Sequence, residues 1–317
     1  MLRDRMKIDI VVSPRLYQPV MTRLEREFTV NPLWKAKDPR EFVAPLADRI
    51  RGFASFTGYP VTAPLIAALP KLEIIATMSV GTDHIDLAAA RARGIAITNA
   101  PDVLTDCVAD LGMGLVVDLA RNLVAADRFV RDGKWRVGMF PLAAKLGGAT
   151  MGIVGLGRIG KAVAKRAEAF GMRIVYFGWR RQSDVGYAFY DDLVAMARDS
   201  DYLMLTCPGG ETTRHLIDAP VIEALGPEGR LINIARGSVV DQPALIAALQ
   251  SGRLGGAALD VYADEPRVPE ALLKLDNVVL TPHIASATHA TRAAMGNLMI
   301  DNLLAHFAGK PLLTPVI

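Results

Sequence analysis

Only two of the 317 residues are cysteine, Cys107 and Cys207, and neither stands in a Cys-x-x-Cys or mixed Cys/His cluster. Such a pair offers no disulfide framework and no zinc site, so no metal is expected, and both read as small buried hydrophobes. Long apolar runs are missing too. After the start Arg3-Asp4-Arg5-Met6-Lys7, the stretch Ile8 to Val12 stops at Ser13-Pro14, too short for a secretory segment, and no later run could span a bilayer. Charge of one sign is not in excess: 36 Lys and Arg against 33 Asp and Glu leave a net +3. A surplus that small and scattered gives no basic face for nucleic acid. Together these absences favour a cytoplasmic, reducing setting, a small-molecule partner, and neither nucleic acid nor membrane.

What is present is apolar bulk: 51% hydrophobic residues in a chain long enough for two domains. Short β-branched runs alternate with helix-period segments, which predicts an α/β fold with parallel sheets built from βαβ units. Predicted strands include 9–12, 72–77, 96–98, 151–154, 173–177, 202–206, 230–234, 256–259 and 278–280; their near-continuous hydrophobicity suits burial on both faces. Residues 104–132 read as one long domain-joining helix stopped by Gly133, 135–148 as a loop, and 288–307 as the last helix.

The run Gly155-Leu156-Gly157-Arg158-Ile159-Gly160 completes GxGxxG between a predicted strand and the predicted helix 161–170. The first glycine permits a tight turn, the second lets backbone approach a pyrophosphate, and the third lets helix pack on strand. An NAD site places a carboxylate at the end of the next strand to bind the ribose 2′-hydroxyl. Here that strand ends Tyr176-Phe177-Gly178-Trp179-Arg180-Arg181, with two guanidiniums and no carboxylate. Arg180 and Arg181 suit a 2′-phosphate, and Trp179 or an arginine suits the adenine face, so NADPH (NADP) is the expected cofactor, preferred over NADH.

Three later strands exit into polar residues: Arg236 before Gly237, Asp260 with Asp264-Glu265-Pro266 following, and His283 after Thr281-Pro282. In open α/β sheets ligands sit at the carboxyl ends of strands. Reducing a 2-ketoacid needs a cation for the carboxylate and carbonyl, a proton donor for the forming alkoxide, and a group that keeps the donor charged. Arg236, His283 and Glu265 match those requirements, Glu265 also orienting the imidazole. Asp260 is then available to the nicotinamide end of the cofactor. His84, His215, His289 and His306 stand in helical or polar surroundings and read as structural or exposed.

These segments, with Ser79-Val80-Gly81-Thr82-Asp83-His84-Ile85-Asp86 and Pro101-Asp102-Val103-Leu104-Thr105-Asp106, resemble the D-isomer-specific 2-hydroxyacid dehydrogenase family over nearly the whole chain. Within it the sequence is most similar to glyoxylate/hydroxypyruvate reductases and the plant hydroxyphenylpyruvate reductases. The resemblance implies two Rossmann-like domains with parallel sheets, a coenzyme domain (100–287) inserted into a flavodoxin-like substrate domain (1–99 and 288–317), and a homodimer formed through the coenzyme domains. It assigns catalysis to Arg236, Glu265 and His283, the carboxamide contact to Asp260, and the substrate carboxylate to the amides of Val80 and Gly81. Thr105, Cys207, Pro208, Thr213, Ile234 and Ala235 fall at its further cofactor positions. Many NADP-dependent relatives carry Arg at the position of Trp179, so the phosphate contact shifts to Arg180 and Arg181. Glu265, where formate dehydrogenases carry Gln, argues against that activity, and the end at Ile317 leaves no room for a C-terminal regulatory domain. The implied reaction is reduction of glyoxylate and hydroxypyruvate; the alternatives are a reductase of bulkier 2-ketoacids such as phenylpyruvates, and a nucleotide-sensing regulator similar to the corepressors of this fold.

Overall fold

The computed structural model describes residues 7–317, so the start Arg3 to Met6 lies outside the described residues. The chain divides into two compact units, Met1–Leu104 with Thr288–Ile317, and Thr105–Ala287. The division falls five residues beyond the expected 99/100 boundary. Ala100 N still donates to Ser79 O at 2.8 Å and Leu104 is buried, which ties 100–104 to the first unit.

In the first unit β1 (Asp9–Ser13), β2 (Thr29–Pro32), β3 (Ile50–Ser55), β4 (Ile74–Thr77) and β5 (Ala96–Thr98) form one sheet in the order β2-β1-β3-β4-β5. Every pairing is parallel. Val11, Phe53 and Ile75 on its strands meet Leu65, Ile66 and Ile85 in a continuous apolar core. The helix His289–Phe307, capped by Thr288 accepting from Thr291 N, covers the opposite side. Gly52 allows that approach, since a Cβ there would stand 2.9 Å from Ile10 Cγ2 and 3.3 Å from the Phe307 ring.

The second unit holds seven strands: β6 (Thr150–Val154), β7 (Arg173–Phe177), β8 (Ala188–Tyr190), β9 (Tyr202–Leu205), β10 (Arg230–Asn233), β11 (Gly256–Leu259) and β12 (Val278–Leu280). All pair in parallel, in the order β12-β11-β10-β9-β6-β7-β8. Strand order reverses between β6 and β9, and crevices at such switch points receive dinucleotides. β6, β9 and β11 are buried along their whole length, as parallel strands covered on both faces require.

Two expectations need correction. The predicted 104–132 helix is two helices, Thr105–Arg121 and Leu123–Arg131, both inside the second unit rather than joining the two. The break is Asn122 at φ 52°, a left-handed conformation that asparagine tolerates, and the Asp118 side chain caps the new start by accepting from Val124 N at 3.0 Å. Cys207 is buried as expected, but Cys107 is only partly so. Among the described residues no helix is long and apolar enough to cross a membrane.

Candidate active site

The glycine turn sits at the switch point. β6 is followed by Gly155, whose φ is 91°; a Cβ there would lie 2.7 Å from the Cα of Cys207, just beyond β9. Gly155 O accepts from Thr206 Oγ1 at 2.6 Å, and a Cβ on Gly160 would come within 2.5 Å of that same oxygen. Gly157 faces open space and precedes the helix Arg158–Ala169, so the backbone at its N-terminus is approachable from outside. Leu156 is buried and Ile159 half-buried, which anchors the turn from below. Those helix-terminal amides and their dipole suit a pyrophosphate.

Beside the turn lies a cavity of about 630 Å³. Leu156, Gly157, Arg158 and Lys161 form one wall, and Arg180, Arg181, Gln182, Ser183 and Asp184 the other. Gln182 bridges them, donating from Nε2 to Leu156 O at 2.7 Å while its own N donates to Tyr176 Oη at 2.7 Å. Arg181 is steadied over the Phe189 ring, 5.6 Å from its centroid, and Lys161 Nζ stands 2.6 Å from Asp184 Oδ2. Four cations face one carboxylate in this lining, a fit for an anionic group such as a phosphate monoester. Trp179 is 79% exposed and does not line the cavity, unlike the two arginines beside it. The carboxylate missing from the end of β7 thus returns seven residues later as Asp184; neither it nor Lys161 was anticipated, because their sequence spacing matches no fingerprint.

Arg236, Glu265 and His283 follow β10, β11 and β12, the successive strands beyond β9. Asn233 shapes the first exit: its Oδ1 accepts from Ala235 N at 3.0 Å and its Nδ2 donates to Arg236 O at 2.9 Å. Arg236 Nη1 donates to Ala235 O at 2.8 Å, and Gly209 leaves room for the side chain, since a Cβ there would be 2.8 Å from Arg236 Cγ. Glu265 accepts from Tyr262 N at 3.1 Å through Oε1, and its Oε2 lies 2.7 Å from His283 Nδ1. Burial pushes the Glu265 carboxyl up, but the His283 hydrogen bond and the charges of His283 and Arg236 more than reverse it and hold it below the usual range. An ionised carboxylate only accepts, so Nδ1 carries a proton and Nε2 is the ring atom left for exchange.

His283 itself is held in the left-handed region, φ 53°, by the turn around it. Asp260, 0% exposed, organises that turn: Oδ1 accepts from Thr281 Oγ1 at 2.7 Å and Ile284 N at 2.8 Å, Oδ2 from Ala285 N at 2.9 Å. Its carboxylate is therefore engaged by the Thr281 hydroxyl on one side of His283 and by the two backbone amides that follow it. Tyr262 closes the base, donating to Leu259 O and Thr281 O; burial foremost pushes its hydroxyl up to about 12.

Other expected residues are less displayed. Thr213 is buried with its hydroxyl donating to Pro208 O at 2.7 Å, shaping the turn it was expected to line. Cys207 has its thiol pushed to about 11 by burial, and Ile234 and Ala235 are buried. Thr105 opens the helix Thr105–Arg121. Val80 and Gly81 belong to the first unit, just past β4, where Asn99 Nδ2 donates to Val80 O at 2.8 Å and Ser79 Oγ to Gly81 O at 2.7 Å. Of the other histidines, His84 meets Ser55 and Thr77, His289 meets Tyr17, and His306 meets Glu73, all within that unit. Among the described residues no cluster of three or more His, Cys, Asp or Glu could hold a metal ion.

The family profile described as "D-isomer specific 2-hydroxyacid dehydrogenase, NAD binding domain" matches residues 113–285. The chain is 48% identical over 303 residues to the hydroxyphenylpyruvate reductase of Plectranthus scutellarioides, covering 94% of this chain and 97% of that protein. It is 49% identical over 294 residues to glyoxylate/hydroxypyruvate reductase A of Arabidopsis thaliana, covering 93% and 94%. Among solved structures, the NADPH-dependent glyoxylate/hydroxypyruvate reductase of Sinorhizobium meliloti in complex with NADP and malonate superposes with a TM-score of 0.93 at 43% identity, covering 98% of this chain and 97% of that one.

Proposed function

The chain belongs to the D-isomer-specific 2-hydroxyacid dehydrogenase family of oxidoreductases, and on that premise we propose that it is an NADPH-dependent reductase of small 2-ketoacids, taking glyoxylate to glycolate and hydroxypyruvate to D-glycerate. The observation that carries this reading is the 2.7 Å pair of His283 Nδ1 and Glu265 Oε2, with Arg236 close enough to contribute to the charge field on Glu265. A bound dihydronicotinamide supplies the hydride to C2 of the ketoacid. Arg236 binds the substrate carboxylate and polarises its carbonyl. His283 gives the Nε2 proton to the forming alkoxide, and Glu265 holds the ring orientation and stabilises the imidazolium before the transfer. NADPH over NADH rests on the cationic cavity and on the relative that binds NADP.

The same reading includes a homodimer. Leu123, Val124 and Val130 on the helix Leu123–Arg131, a helix with no buried residue, and Trp135, Val137 and Met139 beyond it are exposed apolar groups of one stretch of chain, which a second copy would cover. A cytoplasmic location agrees with two free cysteines.

Bulkier substrates form the second reading, favoured by the 48% identity to a hydroxyphenylpyruvate reductase. Comparing kcat/KM for glyoxylate, hydroxypyruvate and phenylpyruvates with NADPH and with NADH separates the two, while absence of steady NADPH oxidation with any ketoacid points to a nucleotide-sensing regulator instead. The direct test of the mechanism is His283→Ala and Arg236→Ala: turnover is abolished in each while NADP⁺ still binds with wild-type affinity by calorimetry. Retained turnover in either purified variant rules out its assigned role.

A further inference from the structure

The cavity beside the glycine turn has a charged pair that neither the turn nor the two arginines explain. Lys161 stands on the helix Arg158–Ala169 with its Nζ 2.6 Å from Asp184 Oδ2, and both side chains line the cavity together with Arg158, Arg180 and Arg181. The pair is poorly suited to stabilising the fold. Its side chains stay 37% and 66% exposed, and exposed ion pairs contribute little. What it does is fix a lysine in the wall of a cation-lined cavity with a single carboxylate as its counter-ion. The Lys161 hydrogen bond is also the main cause holding the Asp184 carboxyl below its usual range, so the partner is charged.

A monoester phosphate carries more charge than a carboxylate and three acceptor oxygens, and the flexible four-carbon stem of a lysine lets its ammonium swing between acceptors. A neutral ribose hydroxyl offers no comparable exchange. A lining of this kind offers a phosphorylated ribose an ionic partner at Lys161 as well as at the arginines.

We propose that Lys161 is a further binding residue for the 2′-phosphate and that Asp184 is its resident counter-ion, displaced when the phosphate enters; this rests on the NADPH reading above. Asp184 then opposes NADPH binding through its hold on Lys161 and leaves NADH binding unaffected. The pair thereby sets how far the site discriminates between the two cofactors.

Calorimetric titration of NADP⁺ and NAD⁺ into the wild-type protein, Lys161→Ala, Asp184→Asn and the double variant tests this without relying on turnover. Lys161→Ala weakens NADP⁺ about tenfold, the size of one charge-assisted hydrogen bond, and moves NAD⁺ less than about twofold. Asp184→Asn tightens NADP⁺ about threefold, and that gain vanishes in the Lys161→Ala background. Unchanged NADP⁺ affinity in Lys161→Ala overturns the proposal. So does a gain from Asp184→Asn that persists without Lys161, which makes Asp184 a direct repellent of the phosphate. The double replacement of Arg180 and Arg181 by Ala separates this from the underlying reading: if it abolishes discrimination while Lys161→Ala preserves it, only the role of Lys161 falls. If the wild-type protein binds both cofactors alike and the arginine variant changes nothing, the NADPH reading fails and this inference with it.

Discussion

Asp260→Asn distinguishes two roles for the most completely buried carboxylate near the candidate site. The replacement keeps the volume but turns one oxygen into an NH₂ group. Its lower-cost orientation leaves the carbonyl facing Thr281 Oγ1 and Ile284 N and sets the NH₂ against Ala285 N, which belongs to a residue only 6% exposed. One charge-assisted bond is lost, worth about 1.5–3 kcal/mol, and a buried donor is left facing a donor, at about 1–3 kcal/mol. Relief from burying a charge offsets part of that, so the net destabilisation is roughly 2 kcal/mol. In a unit of this size that lowers the melting midpoint by about 4–8 °C and lowers the formed-to-unformed ratio of the turn that holds His283 by a factor of about 30. Scanning calorimetry, kcat with glyoxylate, and the NADP⁺ dissociation constant read the three consequences separately. A clamp on the His283 turn predicts a lower midpoint and a kcat reduced about tenfold or more, with NADP⁺ affinity within about twofold of wild type. An Asn variant that melts and turns over normally refutes the clamp. One that melts normally but loses NADP⁺ affinity replaces it with a direct contact to the cofactor carboxamide.

Gly160→Ala is expected to destabilise the second unit by about 1–3 kcal/mol and to weaken NADP⁺ binding, because the new Cβ would meet Gly155 O at 2.5 Å and backbone cannot step aside; thermal melting and calorimetry check both effects. Asn122→Gly, at φ 52°, should raise the melting midpoint slightly by removing a left-handed side-chain penalty, and a fall would refute the account of the helix break. Stability should also fall in acid. The Arg51 hydrogen bond foremost holds the Glu73 carboxyl below its usual 4.5, so its contribution is complete above that pH and is lost as pH drops through the lower folded value. Urea midpoints from pH 7 to 3 should decline less steeply below 4.5 in Glu73→Gln than in wild type, and parallel declines would exclude Glu73 as a source.

Local patterns in the sequence were enough wherever short-range rules dominate. The glycine run between a strand and a helix, and polar residues just past apolar strands, suffice to mark the phosphate turn and the three strand exits. They failed where distant packing overrides local character. β3 reads Ile50-Arg51-Gly52-Phe53-Ala54-Ser55, and its Arg-Gly interruption hides a strand whose glycine exists to admit Phe307 from the far end of the chain. Asn122 breaks a helix whose apolar periodicity continues on both sides, so the pattern gave no warning.

The sequence by itself determined the fold class and the glycine turn and pointed to Arg236, Glu265 and His283 as candidates, because each depends on a few neighbouring residues with a characteristic period or spacing. Only the tertiary structure decided that His283 Nδ1 meets Glu265, that Asp260 turns inward to hold the turn around His283, and that Lys161 faces Asp184 across a cavity which Trp179 does not line. These are contacts between strand ends or loops about 20 residues apart in the chain, and the order in which parallel strands stack, not any local pattern, brings them together.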